Sequence, residues 1–436
     1  MSGVACPPSL TYADPVAGPA GWLGMNERRP NRFPPVGLAE LQGLAARASD
    51  LMQRARNAAH EPNHQKILRK WSISELAELL GTNADTLARR LKRRPDLPQG
   101  ETDGRRRLFT LAEMHAIQGD MGLLPHRDPA TDPPVTIAVC NFKGGVAKTT
   151  TSVHLGQYLA LRGYRVLMID LDAQASLTQL FGILPHLEVE TTDTVLPYLE
   201  GPETAGADFK DTLAGAIRKT HWHNLDLICS NLGLYGAEFA LAGRAIQQPG
   251  FPFFRVLKDG IATVSDGYDV IVIDTAPALS FVNSNALFAA DGLVLALPPA
   301  MIDLGSAAQF FELMAQLIEQ TNSYESTPKI YDPFAILISK FKPNDEVHQT
   351  LSGWIRTHFE DHTLLSPMLE STVLQKVGPE ILTAYEVGSY EGDRRTFQRA
   401  LQSLNDVNAE LETAIRRRWP SKRQVERTLR AAAGGL

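Results

Sequence analysis

Cysteine, long apolar runs and net positive charge are all scarce in this chain of 436 residues. Its three cysteines, Cys6, Cys140 and Cys229, lie far apart, which excludes a disulfide framework and indicates a reducing compartment. No stretch of about 18 apolar residues is present, so no membrane-spanning helix is expected. The N-terminus carries no basic segment followed by an apolar core, so no secretory signal is expected. These absences predict a cytoplasmic protein without a membrane partner.

The overall charge gives no general sign of nucleic-acid binding. The formal net charge is −6, so any contact with DNA must come from local basic patches. Hydrophobic residues make up 44% of the chain and charged residues 21%, as in ordinary globular proteins. The length predicts two or three domains.

The most informative segment is Asn-Phe-Lys-Gly-Gly-Val-Ala-Lys-Thr-Thr, from Asn141 to Thr150. It follows an apolar β-branched run at 135–139 and precedes a helical pattern at 152–162. A glycine loop between a strand and a helix is the context of a phosphate-binding loop. Its N–H groups turn toward phosphate oxygens, and the helix start adds a positive dipole end. Lys148 can then reach the β- and γ-phosphates, and Thr149 can place its hydroxyl on Mg²⁺.

Apolar runs alternate with helical patterns from Val135 onward. This alternation predicts an α/β fold with a doubly wound, mostly parallel sheet and helices on both faces. The predicted strands are 135–140, 165–170, 225–229, 269–274, 292–297 and 334–339, and predicted helices include 152–162, 280–289 and 304–320.

Aspartates follow two of these strands at the point where each strand ends. Asp170 and Asp172 end the second predicted strand, and Asp274 ends the fourth. The carboxyl edge of a parallel sheet is where α/β proteins bind ligands, so these side chains are expected beside the glycine loop. Asp274 alone would be weak evidence, but it is the third motif in order after two that match.

The pattern Lys-Gly-Gly-x-x-Lys-Thr-Thr, which starts at Lys143, resembles the deviant Walker A motif of ParA-type partition ATPases. That group also holds relatives of MinD and of the nitrogenase iron protein. The resemblance implies ATP and Mg²⁺ as cofactors, ATP hydrolysis and a homodimer that closes on ATP. It also implies that Lys143 reaches the partner's nucleotide as an arginine finger would.

The resemblance assigns a role to each aspartate. Asp172 would position or activate the attacking water, Asp170 would orient the Mg²⁺ shell, and Asp274 would hold a Mg²⁺-bound water. Ala173 and Ala276 stand where the family usually has proline. The expected catalytic residues are Lys143, Lys148 and Asp172; the expected ATP-binding residues are Lys143, Gly144, Gly145, Val146, Ala147, Lys148, Thr149 and Thr150; and the expected metal residues are Thr149, Asp170 and Asp274.

A small basic unit precedes this region. Residues 71–91 indicate a helix, a glycine turn and a second helix, with Ser74 as the cap of the first helix. This is the helix-turn-helix pattern, whose second helix enters the major groove, and three arginines at 105–107 indicate a basic wing. Residues 66–107 carry eleven basic and six acidic residues. The candidate DNA-binding residues are Asn83, Thr86, Arg89, Arg90, Arg105, Arg106 and Arg107.

The bland alternative for this unit is a helical hairpin with a solvated charged face. Larger ParA proteins, including the RepA type, carry a winged helix-turn-helix at the N-terminus. The resemblance therefore favours the winged helix-turn-helix over the helical hairpin. The expected division of the chain is a disordered head (1–36), a helix with possible dimerisation (37–60), the winged DNA-binding domain (61–124), a proline-rich linker (125–134), the ATPase domain (135–415) and a basic tail (416–436).

Two hypotheses from different classes follow. In the first, the ATP-bound dimer binds DNA nonspecifically on the nucleoid, a centromere-binding ParB-like partner stimulates hydrolysis, and the N-terminal domain autoregulates its operon. In the second, the chain is a transcriptional regulator that uses ATP only as a switch. An iron-protein type of function is disfavoured because Cys229 is the last cysteine, so no cluster-binding pair follows Asp274.

Overall fold

The structure is a computed structural model that describes residues 36–59, 66–104, 106–324, 326–371, 382–388 and 392–423. The predicted disordered head lies outside this part of the chain except for Val36, and Arg105 also lies outside it. The chain divides into two compact units, Met1–Asn63 and His64–Leu436. In the first unit, helix α1 (Leu38–Ala59) carries exposed apolar side chains at Leu38, Leu41, Leu44, Leu51 and Met52. Dimerisation through this helix stays a prediction.

The second unit begins with a small three-stranded sheet and three helices. The elements are β1 (Trp71–Ser72), α2 (Ile73–Leu79), α3 (Ala84–Arg93), β2 (Glu101–Asp103), β3 (Arg106–Phe109) and α4 (Leu111–Asp120). The sheet order is β1-β3-β2, with both pairings antiparallel. Trp71, Leu76, Leu91 and Phe109 are buried at the centre. A helix pair followed by a hairpin is the arrangement of a winged helix; we call residues 66–124 the winged unit.

The cap of α2 differs from the prediction. Ser72 Oγ accepts a hydrogen bond from the Glu75 N–H at 3.3 Å, and the Glu75 carboxylate accepts one from the Ser72 N–H at 2.8 Å. This capping box satisfies N–H groups that the first helical turn leaves free. The prediction of Ser74 as the cap is wrong, because the helix begins two residues earlier than expected.

The larger part of the second unit is a seven-stranded sheet with helices on both faces. Its strands are β4 (Val135–Cys140), β5 (Val166–Leu171), β6 (Arg218–Lys219), β7 (Leu225–Ile228), β8 (Val270–Thr275), β9 (Gly292–Leu297) and β10 (Phe334–Ile338). Its α-helices are α5 (Lys148–Leu161), α6 (Ser176–Leu180), α7 (Pro185–Glu188), α8 (Leu196–Glu200), α9 (Pro202–Ala205), α10 (Tyr235–Gln247), α11 (Val256–Ala262), α12 (Phe281–Ala289), α13 (Met301–Asn322), α14 (Glu346–Phe359) and α15 (Arg394–Arg417). Short 3₁₀ helices cover Thr191–Asp193, Gly206–Asp208, Ala214–Ala216, Leu232–Leu234, Phe253–Arg255, Ser265–Gly267 and Glu360–His362.

The strand order is β10-β9-β4-β8-β5-β7-β6. All pairings are parallel except that of β6 with β7. This confirms the predicted doubly wound, mostly parallel α/β sheet, and the predicted strand ends are at most one residue from the observed ones. The edge strand β6 was not predicted, because two residues are too few to produce a hydrophobic period.

Alternate side chains of the central strands enter two separate cores. Val135, Ile137 and Val139 of β4 pack in the core that also holds α5 and α15, whereas Ala138 and Cys140 pack in the core under α12 and α13. Successive strand residues point to opposite faces, so a strand covered on both sides is apolar throughout. The cysteine thiols of the described chain, at positions 140 and 229, are free and buried.

Buried polar contacts join the winged unit to the sheet. Lys66 Nζ lies 2.6 Å from Glu386 Oε2 and donates to the Leu180 carbonyl at 2.7 Å. His221 Nε2 lies 2.6 Å from the other Glu386 oxygen. The guanidinium of Arg127, within the predicted linker, forms a buried ion pair with Asp269 at 3.1 Å. The predicted domain boundaries stay a prediction, but these residues all belong to one compact unit.

Part of the predicted basic tail is packed on the sheet. Trp419 is fully buried and its Nε1 donates to the Pro133 carbonyl at 3.0 Å. The Ser421 hydroxyl donates to Asp132 Oδ2 at 2.6 Å. Residues 424–436 lie outside the described part of the chain.

Replacing Glu386 with glutamine is expected to lower the free energy of unfolding by about 3 kcal/mol, because breaking a buried ion pair leaves an uncompensated charge. Burial pushes the pKa of Glu386 upward, but His221 and Lys66 outweigh it and bring the pKa to about 2. A pKa below the unfolded value of about 4.3 stabilises the fold above that pH. The stabilisation is therefore lost as pH falls from about 4 to about 2. Denaturant unfolding at pH 7 and pH 3 measures both effects.

The matched control is Glu370→Gln. Lys342 Nζ and Glu370 Oε2 also form an ion pair, at 3.0 Å, but their side chains are 52% and 30% exposed. An exposed pair contributes about 0 to 1 kcal/mol. Equal effects of the two substitutions at pH 7 would contradict the structural role given to Glu386.

Candidate nucleotide-binding site

The glycine loop joins the end of β4 at Cys140 to the start of α5 at Lys148. Gly145 and Ala147 have φ angles of 72° and 74°, so the backbone turns through the left-handed region twice. Such turns point successive N–H groups into one concavity, which suits an anion. Ala147, the residue before α5, has no side chain that could accept hydrogen bonds from the first N–H groups of the helix. These N–H groups are therefore open to a ligand.

Two polar side chains hold the loop in place. Asn141 Oδ1 accepts from the Lys143 N–H at 2.9 Å, and Asn141 Nδ2 donates to the Ala296 carbonyl at 2.8 Å. Ser339 Oγ, after β10, donates to the Val146 carbonyl at 2.9 Å. The role of Ser339 was not predicted, because no local pattern relates it to a partner 193 residues away.

Lys148 turns its side chain back into the loop. Its Nζ donates to the Lys143 carbonyl at 2.8 Å, and the residue is 6% exposed. Burial lowers the pKa of Lys148, and the nearby carboxylates of Asp274 and Asp172 oppose that shift. The structure therefore places the predicted phosphate-binding lysine inside the predicted cradle, close to both carboxylates.

Asp170 and Asp274 lie opposite each other in the paired strands β5 and β8, and both are fully buried. Burial raises the pKa of each carboxyl group, and the charge of Asp274 adds to the shift of Asp170. The hydroxyls of Thr149 and Ser152 oppose the shift of Asp274. Two buried carboxyl groups that face each other disfavour the ionisation of both, and a bound cation would relieve that cost.

The two carboxylates differ in how their oxygens are used. Asp170 Oδ2 accepts from the N–H and the hydroxyl of Thr178, and its Oδ1 accepts from the Asp172 N–H at 3.1 Å. Asp274 Oδ1 accepts from Ser152 Oγ at 2.8 Å, whereas its Oδ2 is buried without a hydrogen-bond partner in the described chain. Oxygen ligands suit Mg²⁺, so the orphaned Asp274 oxygen fits a Mg²⁺-bound water. Asp170 ties the loop after β5 to α6, and its role in orienting the Mg²⁺ shell stays a prediction.

Asp172 begins the loop between β5 and α6. Its Oδ1 accepts from the Gln174 N–H at 2.9 Å, and its carbonyl accepts from the Ala175 N–H at 2.8 Å. These bonds form a tight turn with Ala175 in the left-handed region at a φ of 55°. They shape the turn at Ala173, where the family usually has proline. The carboxylate is half-buried, at the edge of the sheet that carries the glycine loop.

Lys143 forms an ion pair within its own chain. Its Nζ lies 2.6 Å from Asp303 Oδ1, in the first turn of α13. The Lys143 side chain is 33% exposed and that of Asp303 is 8% exposed. Asp303 was not predicted, because no motif connects a residue after β9 to the glycine loop.

A groove of about 840 Å³ adjoins these loops. It lies between α10, α12 and α13 and is lined by Asp172, Tyr235, Glu238, Pro277, Leu279 and Leu317, among others. A side-chain carbon at Gly144 would lie 3.8 Å from Pro277, so the groove borders the loop after β8 that faces the glycine loop.

A family model described as an AAA domain matches residues 135–325, which contain the glycine loop and all three aspartates. The putative replication protein A of Rhizobium rhizogenes is 33% identical over 395 residues, covering 87% of this chain and 96% of that protein. Protein SopA of Escherichia coli K12 is 33% identical over 357 residues, covering 80% of this chain and 85% of SopA. The chain belongs to the ParA-type partition ATPases.

A solved structure named a partition protein shares the fold of this ParA-type chain. The two align with a TM-score of 0.60 and 20% identity, covering 86% of this chain and 98% of the other. Since the cover includes most of the chain, the likeness in fold extends beyond the residues that the family model matches.

The candidate DNA-binding residues of this ParA-type chain lie in different surroundings. Thr86 and Arg89 are exposed on α3, and Asn83 caps that helix by accepting from the Thr86 N–H at 2.8 Å. Arg90 turns away to Asp120, with Nη2 2.5 Å from Oδ2. Arg106 and Arg107 lie on β3, opposite Asp103 and Thr102, and Arg105 is outside the described residues. Within the described part of the chain, no helix combines the length and apolarity needed to cross a membrane.

Proposed function

We propose that this chain is an ATP-hydrolysing DNA partition protein in which ATP closes a homodimer and hydrolysis opens it. The observation that carries the proposal is the group at one sheet edge. There the glycine loop holds Lys148, Asp274 keeps a buried oxygen without a partner among the described residues, and Asp172 lies close by. A phosphate cradle, a Mg²⁺-binding oxygen and a carboxylate for water are what phosphoryl transfer to water needs.

In the proposed mechanism, N–H groups of the loop and of the start of α5 bind phosphate oxygens. Lys148 exchanges the Lys143 carbonyl for the β- and γ-phosphates. Thr149 and Asp274 would hold Mg²⁺, Asp170 would orient its shell, and the bound ion would supply positive charge that neutralises the phosphates. Asp172 orients a water whose oxygen bonds to the γ-phosphorus while the bond to the β–γ bridging oxygen breaks. The products are ADP, phosphate and a proton.

The surface around the site supports closure by a second copy. The chain segments after β7, β8 and β9 all emerge at the carboxyl edge of the sheet, and they expose the apolar side chains of Tyr235, Leu279, Met301 and Ile302. Exposed apolar groups clustered at a site indicate an interface. Lys143 lies at the same edge, and in the closed dimer it would exchange Asp303 for the nucleotide of the partner.

Lys143→Ala is expected to bind ATP but to fail to dimerise, because it removes the cation that would face the partner's phosphates in a dry site. The loop, Lys148 and Thr149 remain, so the affinity for ATP should change by less than about threefold. Analytical ultracentrifugation with ATP and Mg²⁺ gives the mass. The control is Asp303→Asn, which frees Lys143 from its own chain and should dimerise at lower ATP concentration than the wild type. A Lys143→Ala dimer like that of the wild type would contradict the cross-dimer role.

The proposed partners are DNA, bound nonspecifically by the ATP dimer, and a centromere-binding ParB-like protein that stimulates hydrolysis. The winged unit would bind the operator of its own operon, and the protein would act in the cytoplasm on the nucleoid. Support comes from the exposed Thr86 and Arg89 on α3. It also comes from the two relatives described above, the putative replication protein A and SopA. Phosphate release, measured with and without duplex DNA and the centromere-binding protein encoded beside this gene, tests the proposal: both together should stimulate turnover about tenfold or more.

The alternative is a transcriptional regulator that uses ATP only as a switch, which the winged unit alone would also support. The partition protein and the regulator differ in how their ATP hydrolysis responds to DNA and to the partner protein. A regulator binds ATP and the operator without needing a stimulated hydrolysis step. Unchanged phosphate release in the presence of DNA and partner would favour the regulator.

A further inference from the structure

The arginines of α3, together with Arg94 at its C-terminal cap, form two rows on the helix surface. Arg90 and Arg94 are one turn apart and share a face, and Arg89 and Arg93 form the neighbouring row. The first row meets Asp120, the last residue of α4. Arg90 Nε and Nη2 donate to Asp120 Oδ2 at 3.1 and 2.5 Å, and Arg94 Nη1 lies 2.7 Å from Asp120 Oδ1.

Asp120 is well placed to hold both guanidinium groups. Its side chain is 13% exposed, and its carbonyl also accepts from Arg90 Nη2 at 3.1 Å. The hydrogen bond from Arg90 lowers the pKa of Asp120, so the carboxylate stays ionised at neutral pH. On its other side Arg94 pairs with Asp96, with Nη2 2.6 Å from Oδ2. Charge-assisted pairs of this geometry are stronger and more directional than neutral hydrogen bonds.

The second row is free to meet a ligand. Both Arg89 and Arg93 are exposed, and neither takes part in an ion pair recorded within the described chain. A cavity of about 590 Å³ beside the helix is lined by Thr82, Thr86, Leu87, Arg89, Arg90, Arg93, Arg94 and Met121. Because residues of both rows line this cavity, an anion held by Arg89 and Arg93 would lie near Arg90 and Arg94 if Asp120 released them.

We propose that Asp120 is a positioning residue that withholds Arg90 and Arg94 from the DNA backbone. Of these four arginines only Arg89 and Arg93 then contribute phosphate contacts, beside the exposed Lys92 of the same helix, so the affinity for nonspecific duplex is kept low and the operator is favoured by comparison. This rests on the proposed DNA-binding function of the winged unit. Each phosphate contact by a basic side chain adds about 0.9 to the slope of log affinity against log salt.

The experiment measures binding of the full-length chain without nucleotide to a fluorescent duplex of arbitrary sequence, across a series of salt concentrations. Omitting nucleotide separates the winged unit from the proposed ATP dimer. For Asp120→Asn we expect the salt slope to steepen by between about one and two and the affinity at low salt to rise about tenfold or more. The matched control is Asp85→Asn on α3, which makes the same charge change without freeing an ion-paired arginine and should keep the wild-type slope.

Two further variants make the test independent of how well Asp120→Asn folds. Arg90→Gln with Arg94→Gln in the wild-type background should leave the slope unchanged, since these side chains are already withheld. Adding the same two changes to Asp120→Asn should return the slope to the wild-type value. Melting temperatures identify any variant that does not fold.

Several outcomes would overturn the inference. If Asp120→Asn had the same salt slope and affinity as Asp85→Asn, the ion pairs of Asp120 would not withhold Arg90 and Arg94 from DNA. Folded Asp120→Asn with reduced affinity, or reduced affinity on replacing Arg90 and Arg94 alone, would mean that Asp120 presents these arginines to DNA. A wild type that binds no duplex at low salt would overturn the proposed function of the winged unit, and the inference with it. By contrast, wild-type binding that Arg89→Gln with Arg93→Gln weakens would leave the proposed function intact whatever Asp120 does.

Discussion

Lys148→Ala should lose ATP binding, with the dissociation constant rising about 100-fold or more. The lysine is 6% exposed, and its ammonium already occupies a hydrogen bond inside the loop, 2.8 Å from the Lys143 carbonyl. Removing it takes away the cation that meets the β- and γ-phosphates, and a charge-assisted contact in a buried site is worth about 1.5 to 3 kcal/mol or more. Isothermal titration calorimetry with ATP and Mg²⁺ measures the change.

Lys210→Ala is the control for a lost lysine away from the loop. Lys210 is exposed and donates only to the Ala207 carbonyl, at 3.1 Å, among its recorded hydrogen bonds. Its replacement should leave ATP affinity unchanged. Tight ATP binding by folded Lys148→Ala would mean that the glycine loop is not the phosphate site.

The second large effect is expected for Asp172→Ala, which should bind ATP and dimerise but turn over about 1,000-fold more slowly, as when a general base is lost. Asp172 stands in the turn after β5, not in the glycine loop, so the phosphate contacts survive. Single-turnover phosphate release separates the chemical step from nucleotide binding. The control is the exposed Asp211→Ala, which should turn over normally.

Near-normal turnover by Asp172→Ala would contradict the proposal that this carboxylate orients the attacking water. Loss of ATP binding together with turnover would mean that the Asp172 side chain shapes the loop, in keeping with the bond that its Oδ1 accepts from the Gln174 N–H. The ATP-locked dimer that the account predicts for this variant is also the form to use in DNA-binding experiments.

Local patterns predicted the sheet and the glycine loop well. The parallel strands are short apolar runs bounded by turn residues, so their ends appeared within one residue of the observed ends. The glycine loop has a characteristic spacing of glycines and lysines, and this spacing predicts the conformation of a phosphate-binding loop. The cap of α2 was misplaced by two residues because Ser72 and Ser74 are both suitable caps, and only the reciprocal bond from Glu75 decides between them.

Long-range polar pairs could not be predicted. Lys143 and Asp303, Lys66 and Glu386, and Arg90 and Asp120 are brought together by the fold, and no periodicity relates their positions. These pairs matter for function, because they decide which lysines and arginines are free to meet a nucleotide or DNA. Arg90 illustrates the point: the sequence placed it on a candidate recognition helix, and the structure shows it facing a carboxylate on α4.

We propose above that ATP controls a dimer of this chain that binds DNA without sequence preference. The most direct measurement is binding of the wild-type chain to a duplex of arbitrary sequence, with ATP and Mg²⁺, with ADP and Mg²⁺, and without nucleotide, while sedimentation reports the mass. With ATP and Mg²⁺ we expect a dimer whose affinity for the duplex is at least about tenfold higher than with ADP or without nucleotide. Equal affinity and equal mass in all three conditions would contradict it.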